Sequence, residues 1–196
     1  TKFCIHPSEI VFSIPKIGGT KNVRVKDVID LKPDLIIANK EENTKEDIEA
    51  LMDVANVYVS NISTYEEAIE AILEIGKLTQ SRTKASLIVQ QINSSFEKLQ
   101  EVSINNKVCY LIWNNPMMSV GKDTFIHDLL LKCGFENIFY QSDRYPTVTT
   151  EEIQEKNPDF IFLSSEPFPF KEKHIDWFTT TFPESKTVLV DGEYFS

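Results

Sequence analysis

What this 196-residue chain lacks narrows its chemistry. Its three cysteines, Cys4, Cys109 and Cys133, form no Cys-x-x-Cys pair, and an odd number cannot complete a disulfide framework. Positive charge is scarce: 20 Lys and Arg stand against 30 Asp and Glu, a formal net charge of −10. Gripping nucleic acid or an anionic membrane surface takes clustered Lys and Arg, so both are excluded as partners. Long apolar runs are missing too. Leu35 to Ala38 and Phe160 to Leu163 are short, far from the roughly 20 residues that cross a bilayer. Catalytic signatures are absent: there is no G-x-S-x-G, P-loop, G-x-G-x-x-G or H-E-x-x-H. His6, His127 and His174 stand alone, and Cys4 with His6 falls short of a metal site. The start on Thr1 and the stop at Ser196, soon after the apolar Val188 to Val190, read as cut ends.

What is present is a globular composition, 41% hydrophobic and 11% aromatic, enough for a real core. The organising stretch runs from Thr79 to Val102 with neither Pro nor Gly. Its Ala85, Ile88, Val89, Ile92, Phe96 and Leu99 recur at three- and four-residue steps, which predicts a long amphipathic helix. Counted from Ser81 such a helix is roughly 33 Å long, a strut the width of a small domain.

On both sides of the strut, helical and strand patterns alternate, which means α/β. Before it, Val23 to Leu31 has helical spacing, Leu35 to Ala38 fits a buried parallel strand, Thr44 with Asp47 opens a helix to about Val54, and Val57 to Val59 is a strand. Ser63 with Glu66 reads as a capping box for the helix Thr64 to Leu78. After the strut come a strand over Val108 to Trp113, a helix over Thr124 to Cys133 stopped by Gly134, and a strand over Glu136 to Phe139. A helix over Glu151 to Lys156, a strand over Phe160 to Leu163, a helix over Ile175 to Phe182 and a strand over Thr187 to Val190 follow.

An internal echo ties the two sides together. Pro33-Asp34 and Pro158-Asp159 each precede a four-residue apolar run, two polar residues and a Glu, Glu41 in one copy and Glu166 in the other. Each copy follows a short helix of matched pattern, Lys26-Asp27-Val28 and Glu151-Glu152-Ile153, at one constant offset. Two similar α/β lobes are expected, over 1–78 and 105–196, joined by the helix over 79–104.

Ligands of open α/β sheets gather at the carboxyl ends of the strands. The loops there are Gly18 to Lys21, Asn39 to Asn43, Trp113 to Lys122, Arg144 to Pro146, Ser164 to Phe170 and Asp191 to Phe195. Trp113, Met117, Met118, Tyr145 and Tyr194 are candidates to line a wide apolar cleft, with Asn39, Asn114, Asn115 and Glu193 giving polar direction.

The blocks IGGTKN (17–22), LKPDLIIANKEEN (31–43), NPMMSVGKDTFIHDLLLKCGFENIF (115–139), RYPTVTTEEI (144–153) and VDGEYFS (190–196) together resemble the class III periplasmic substrate-binding proteins of ABC importers. The likeness is to the vitamin B12-binding branch and its ferric siderophore and haem relatives. It implies two Rossmann-like lobes with parallel sheets joined by one backbone helix, a ligand held between them, and no resident cofactor. The ligand so implied is cobalamin or another corrinoid, haem or a ferric chelate. Thr20 and Asn39 fall on first-lobe ligand positions, often aromatic in cobalamin binders. Met118, Tyr145 and Glu193 or Tyr194 fall on second-lobe ones. The family docks on its permease through one acid per lobe. Glu151 falls on the second position, and the first is Lys26 with Asp27 beside it. A periplasmic or lipid-anchored importer component, not an enzyme, is the expectation. The alternatives are a cytosolic corrinoid or metal-chelate sensor or carrier, which Lys26 would fit, and an enzyme built around a metal cluster, for which no Cys and His set converges.

Overall fold

The computed structural model describes residues 7–99 and 105–195, so Cys4, His6 and the Val102 end of the expected strut lie outside the described residues. Its compact units divide between Asn61 and Ile62.

In the first unit, a short helix α1 (Ser8–Val11) precedes an antiparallel pair, β1 (Gly18–Gly19) and β2 (Asn22–Val23). Helix α2 (Val25–Leu31) then leads into β3 (Leu35–Asn39), α3 (Lys45–Met52) and β4 (Asn56–Ser60). Thr44 caps α3 as expected, its hydroxyl accepting the Asp47 N–H at 3.2 Å. β3 and β4 pair in parallel from Leu35 opposite Asn56 to Asn39 opposite Ser60. Val28, Ala38, Ile48 and Leu51 form the buried cluster.

The second unit opens on a helical hairpin, α4 (Tyr65–Leu78) and α5 (Arg82–Leu99). Gln80, left-handed at φ 57°, lies in the turn between them. The capping box of α4 falls one residue later than the sequence pattern suggests. Thr64 and Glu67 form it, Glu67 accepting from both Ser63 and Thr64 N–H groups. That shift frees Glu66 to pair with Lys132 at 2.5 Å. Strand β5 (Lys107–Asn114) turns back at once into β6 (Met117–Ser119), so the segment expected to be loop is an antiparallel hairpin. Helix α6 (Phe125–Lys132) ends with Gly134 at φ 83°. The expected strand over 136–139 shortens to β7 (Glu136–Asn137), because the buried Asn137 side chain accepts the Phe139 N–H and turns the chain. Then come α7 (Thr150–Lys156), β8 (Phe160–Ser164), α8 (Glu172–Thr181), β9 (Lys186–Val190) and a 3-10 turn at Gly192–Phe195. The sheet runs β6-β5-β8-β9, with β7 also on β5; β5, β7, β8 and β9 are parallel.

Alternation along β5 splits its side chains between two cores. Cys109 and Leu111 join Ile153, Ile161, Leu163, Phe170 and Phe178, while Val108, Tyr110 and Ile112 join Leu130 and Phe162 on the other face. The hairpin α4–α5 is held to α6 by polar contacts. The Asp128 carboxylate accepts the Tyr65 N–H at 2.7 Å, Lys132 lies over the Tyr65 ring, and that ring meets Phe96 at 4.7 Å.

The echo survives in three dimensions. α2 and α7, then β3 and β8, begin and end 125 residues apart, and the residue closing each helix, Lys32 or Asn157, is left-handed. β8 and β9 pair from Phe160 opposite Lys186 to Ser164 opposite Val190, the register of β3 and β4 repeated.

Ile92 lies mid-way along α5, where proline would remove a hydrogen bond and clash with the preceding turn. Ile92→Pro is expected to cost about 3 kcal/mol or more in urea unfolding; unchanged stability would contradict a continuous helix.

Candidate functional site

Parallel strands send their carboxyl ends to one edge of the sheet, so the loops beyond β3 and β4 in one unit, and β5, β8 and β9 in the other, are the candidate surfaces. The first unit's edge is polar and internally bonded. Asn39 Oδ1 accepts the Glu41 and Glu42 N–H groups at 2.9 and 3.1 Å, and its Nδ2 donates to the Ser60 hydroxyl at 3.2 Å. Asn43 returns the tie, its Oδ1 accepting the Asn39 N–H and its Nδ2 donating to the Thr20 carbonyl. The Thr20 hydroxyl donates to Glu42 at 3.2 Å. Thr20 and Asn39 therefore belong to one cluster. Asn39 spends its oxygen and one N–H on holding the loop, leaving one N–H for anything outside.

The second unit's edge is aromatic. Trp113 is 39% exposed, its indole N–H donates to the Asn115 carbonyl at 3.2 Å, and its ring sits 5.7 Å from Phe168. Met117 and Phe168 both pack on the core cluster that holds Leu111 and Phe170. Met118 and Tyr145 pack instead on the cluster of the opposite sheet face, together with Phe195. Met118 faces Trp113 across the β5–β6 ladder and bridges to Thr147, which draws the 144–148 segment alongside. Tyr194 is 79% exposed, and the Glu193 N–H donates to Asp191 at 3.1 Å. Within the second unit, Met117 thus packs toward one face of the sheet and Met118 and Tyr145 toward the other.

Beneath this edge a buried relay fixes the loop after β8. The Tyr110 hydroxyl donates to Ser164 at 3.2 Å, and Ser164 donates to the Glu166 carbonyl at 2.7 Å. Burial pushes the Tyr110 phenol up to about 12, helped by the negative charges of Glu166 and Asp191, so it remains a donor at neutral pH. Ser165 and Gly192 couple the β8 and β9 loops, the Gly192 N–H donating to the Ser165 hydroxyl at 2.9 Å. Gly192 is a matter of space: a Cβ there would fall 2.8 Å from Ser164 Oγ and 2.5 Å from Glu166 Cγ. The loops Ser164 to Phe170 and Asp191 to Phe195 are legible in the sequence, but nothing there singles out Phe168, Ser164 or Gly192 within them, or Tyr110 on β5. The Pro-Phe-Pro-Phe run at 167–170 directly after a strand marks the loop of Phe168 without choosing between its rings.

The expected docking acids differ in their surroundings. Glu151 is exposed in the first turn of α7, whose capping box uses Thr149 and Glu152. Asp27 is ion-paired with Arg24, which occupies the equivalent cap position of α2. Burial raises the thiols of Cys109, to about 12, and of Cys133, which opposes thiolate chemistry at either. Among the described residues no three His, Cys, Asp or Glu converge as a metal site, and no helix is long and apolar enough to cross a membrane.

The family described as periplasmic binding protein matches residues 4–185. An uncharacterised ABC transporter substrate-binding lipoprotein, YvrC of Bacillus subtilis strain 168, is 28% identical over 167 residues, 80% of this chain and 52% of that protein. The vitamin B12-binding protein of Vibrio campbellii is 24% identical over 156 residues, 77% of this chain and 57% of that protein. The chain thus spans little more than half the length of these relatives. The periplasmic vitamin B12-binding protein BtuF of Vibrio cholerae superposes with a TM-score of 0.82 at 18% identity, over 100% of this chain and 79% of that one. The periplasmic haem-binding protein HutB of Vibrio cholerae gives 0.80 at 20% identity, over 96% and 79%. The shared fold is the two-lobe α/β one.

The Gly192 approach is directly checkable. Gly192→Ala should destabilise the protein by about 1–3 kcal/mol in urea unfolding through overpacking; a neutral effect would mean that the β8 and β9 loops are not in contact.

Proposed function

The chain belongs to the periplasmic binding protein family, and we propose that it is the substrate-binding component of an ABC importer, capturing a cobalamin-like or ferric-chelate ligand. The observation that carries this reading is the family match over residues 4–185, reinforced by relatives named as ABC substrate-binding and vitamin B12-binding proteins. The proposed ligand contacts are Thr20, Asn39, Trp113, Asn115, Met117, Met118, Tyr145, Glu193 and Tyr194. Strand-edge placement supports them, and the Trp113 and Tyr145 rings offer the flat apolar area that a macrocycle can bury. The role is capture and delivery rather than catalysis, at a periplasmic or lipid-anchored location. The division into lobes over 1–78 and 105–196 joined by a helix over 79–104 belongs to the same proposal.

Docking on a permease is assigned to Glu151, exposed and free of the capping box around it. Asp27 is the proposed counterpart, although its carboxylate is already engaged by Arg24. That engagement, with Lys26 standing 125 residues before Glu151, favours a second reading in which the protein is a corrinoid or metal-chelate carrier without a permease. Fractionation of the native protein separates them: a membrane-associated or periplasmic pool supports import, and a cytosolic pool supports the carrier.

Ligand capture is tested by titrating cyanocobalamin, haemin and a ferric hydroxamate siderophore while following tryptophan fluorescence. Micromolar binding or tighter, about −8 kcal/mol, is expected for at least one of them. No response to any would contradict both readings.

A further inference from the structure

We propose that His127 is an acid-sensitive latch of the second unit: as a neutral imidazole it holds the Asn137 side chain, and with it the turn that precedes α6, and on protonation it lets both go. The latch goes beyond the ligand-binding reading above and stands or falls without it.

Hydrogen bonding fixes the state of the ring. Asn137 is fully buried, and both ends of its amide are committed to backbone. Its Oδ1 accepts the Phe139 N–H at 3.1 Å, and its Nδ2 donates to the Val120 carbonyl at 2.9 Å. A backbone N–H can only donate and a carbonyl can only accept, so these partners leave no choice in which way the amide points. The second Nδ2 hydrogen then meets His127 Nδ1 at 3.2 Å. An amide nitrogen has nothing to accept with, so Nδ1 carries a lone pair and the ring proton sits on Nε2. A proton added to Nδ1 sets two donors face to face. The Asn137 N–H, sealed from water, is then deprived of its acceptor, which is costly.

The amide sits where three segments meet. Val120 opens the 120–124 turn, whose Thr124 hydroxyl donates to the Gly121 carbonyl at 2.8 Å and accepts the His127 N–H at 3.2 Å. The turn is laced to the 142–144 segment. The Gly121 N–H donates to the Arg144 carbonyl at 2.7 Å, the Lys122 N–H to the Ser142 carbonyl at 2.8 Å, and the Arg144 N–H to the Lys122 carbonyl at 3.0 Å. A Cβ on Gly121 would fall 2.1 Å from the Ser142 carbonyl oxygen, so the two segments are in close contact. Ser142 in turn donates its N–H to the Phe139 carbonyl at 2.9 Å. The chain leaving Asn137 and the chain entering α6 are thus held as one limb, and releasing Asn137 removes its central tie.

The imidazole is only half-buried, so protons reach it from solvent. Burial lowers its proton affinity below that of an ordinary histidine, against Asp128 on its own helix and Asp123 in the preceding turn, which both raise it. The other elements packed on α6 are β7, α4 and the 3-10 turn. β7 presents the neutral Asn137 amide and has Glu136 exposed. α4 brings Tyr65, whose N–H is taken by Asp128, and Glu66, paired with Lys132; the 3-10 turn brings Glu193. Beside the 120–124 turn, Asp143 is paired with Lys122 at 3.1 Å. The folded protein holds this proton more weakly than an unfolded histidine of 6.5 does. The latch is therefore complete above 6.5 and is lost as pH falls through the lower folded value.

The test is a titration of the full chain from about pH 8 to about pH 5, the range in which histidine changes charge. It is followed by long-range proton–nitrogen NMR of the ring and by amide hydrogen exchange corrected for its intrinsic pH dependence. The neutral ring is expected to carry its proton on Nε2 and to titrate below 6.5. Protection of the Gly121, Lys122 and Arg144 amides should fall several-fold over the same titration, while that of the β8 amides holds. His127→Gln, whose side chain takes up no proton, should abolish the pH dependence of those three amides. A proton on Nδ1 of the neutral ring, a midpoint at or above 6.5, limb amides whose protection does not follow the ring, or a loss shared equally by β8 overturns the proposal. So does an acid loss that persists in His127→Gln. The ring and amide readings are made on the unmodified protein, so they decide the outcome even if the variant fails to fold. Ligand capture is decided separately by the fluorescence titration.

Discussion

Parallel strand pairing is the constraint on which this molecule depends. Two parallel neighbours cannot be joined by a tight turn; the chain must cross back over the sheet, here through α3 between β3 and β4 and through α8 between β8 and β9. Every such crossing delivers the next strand in the same direction and leaves all the carboxyl ends together. The loops there are free of the ladder and can be spent on recognition. Both units use the device in the same register, from the left-handed residue that ends α2 or α7 to the last paired residue of the strand beyond.

From one scaffold the two units make different edges. The first invests Asn39, Asn43, Thr20 and Ser60 in a network that ties its own loops down. The second puts its hydrogen bonds under the edge, in the Tyr110 relay, and leaves aromatic and thioether side chains above it. The hairpin of α4 and α5 is joined to this unit by contacts that are mostly solvent-exposed. Exposed pairs such as Glu66 with Lys132 are screened by solvent and contribute little to stability. Their value is in fixing where α4 begins, because the Asp128 carboxylate takes the N–H at the first residue of the helix.

Much of the fold was legible because it is written in short-range pattern. Apolar periodicity placed α4, α5 and α6, Thr44 marked the start of α3, and the Pro-Asp echo found β3 and β8. The errors came where a side chain acts across space or where two local patterns compete. Ser63-Glu66 and Thr64-Glu67 both fit a capping box, and the pairing of Glu66 with Lys132 is visible only once α6 is packed against α4. β7 stops early because the buried Asn137 side chain accepts the N–H of Phe139, two residues on, and β6 forms because the chain reverses directly after Asn114. Topology alone places the candidate residues at or beyond the carboxyl ends of the strands. Their partition between two faces, the internal commitments of Asn39, and the pairing of Trp113 with Phe168 required the packed structure.

The ligand-bearing surface proposed for this protein is the carboxyl edge of the second unit's sheet. A crystal structure of the protein with cyanocobalamin bound tests it most directly. Ring density lying against the loops that follow β5, β8 and β9, in van der Waals contact with Trp113, is the predicted result; density at the opposite edge of the strands or on the outer helix faces would contradict it.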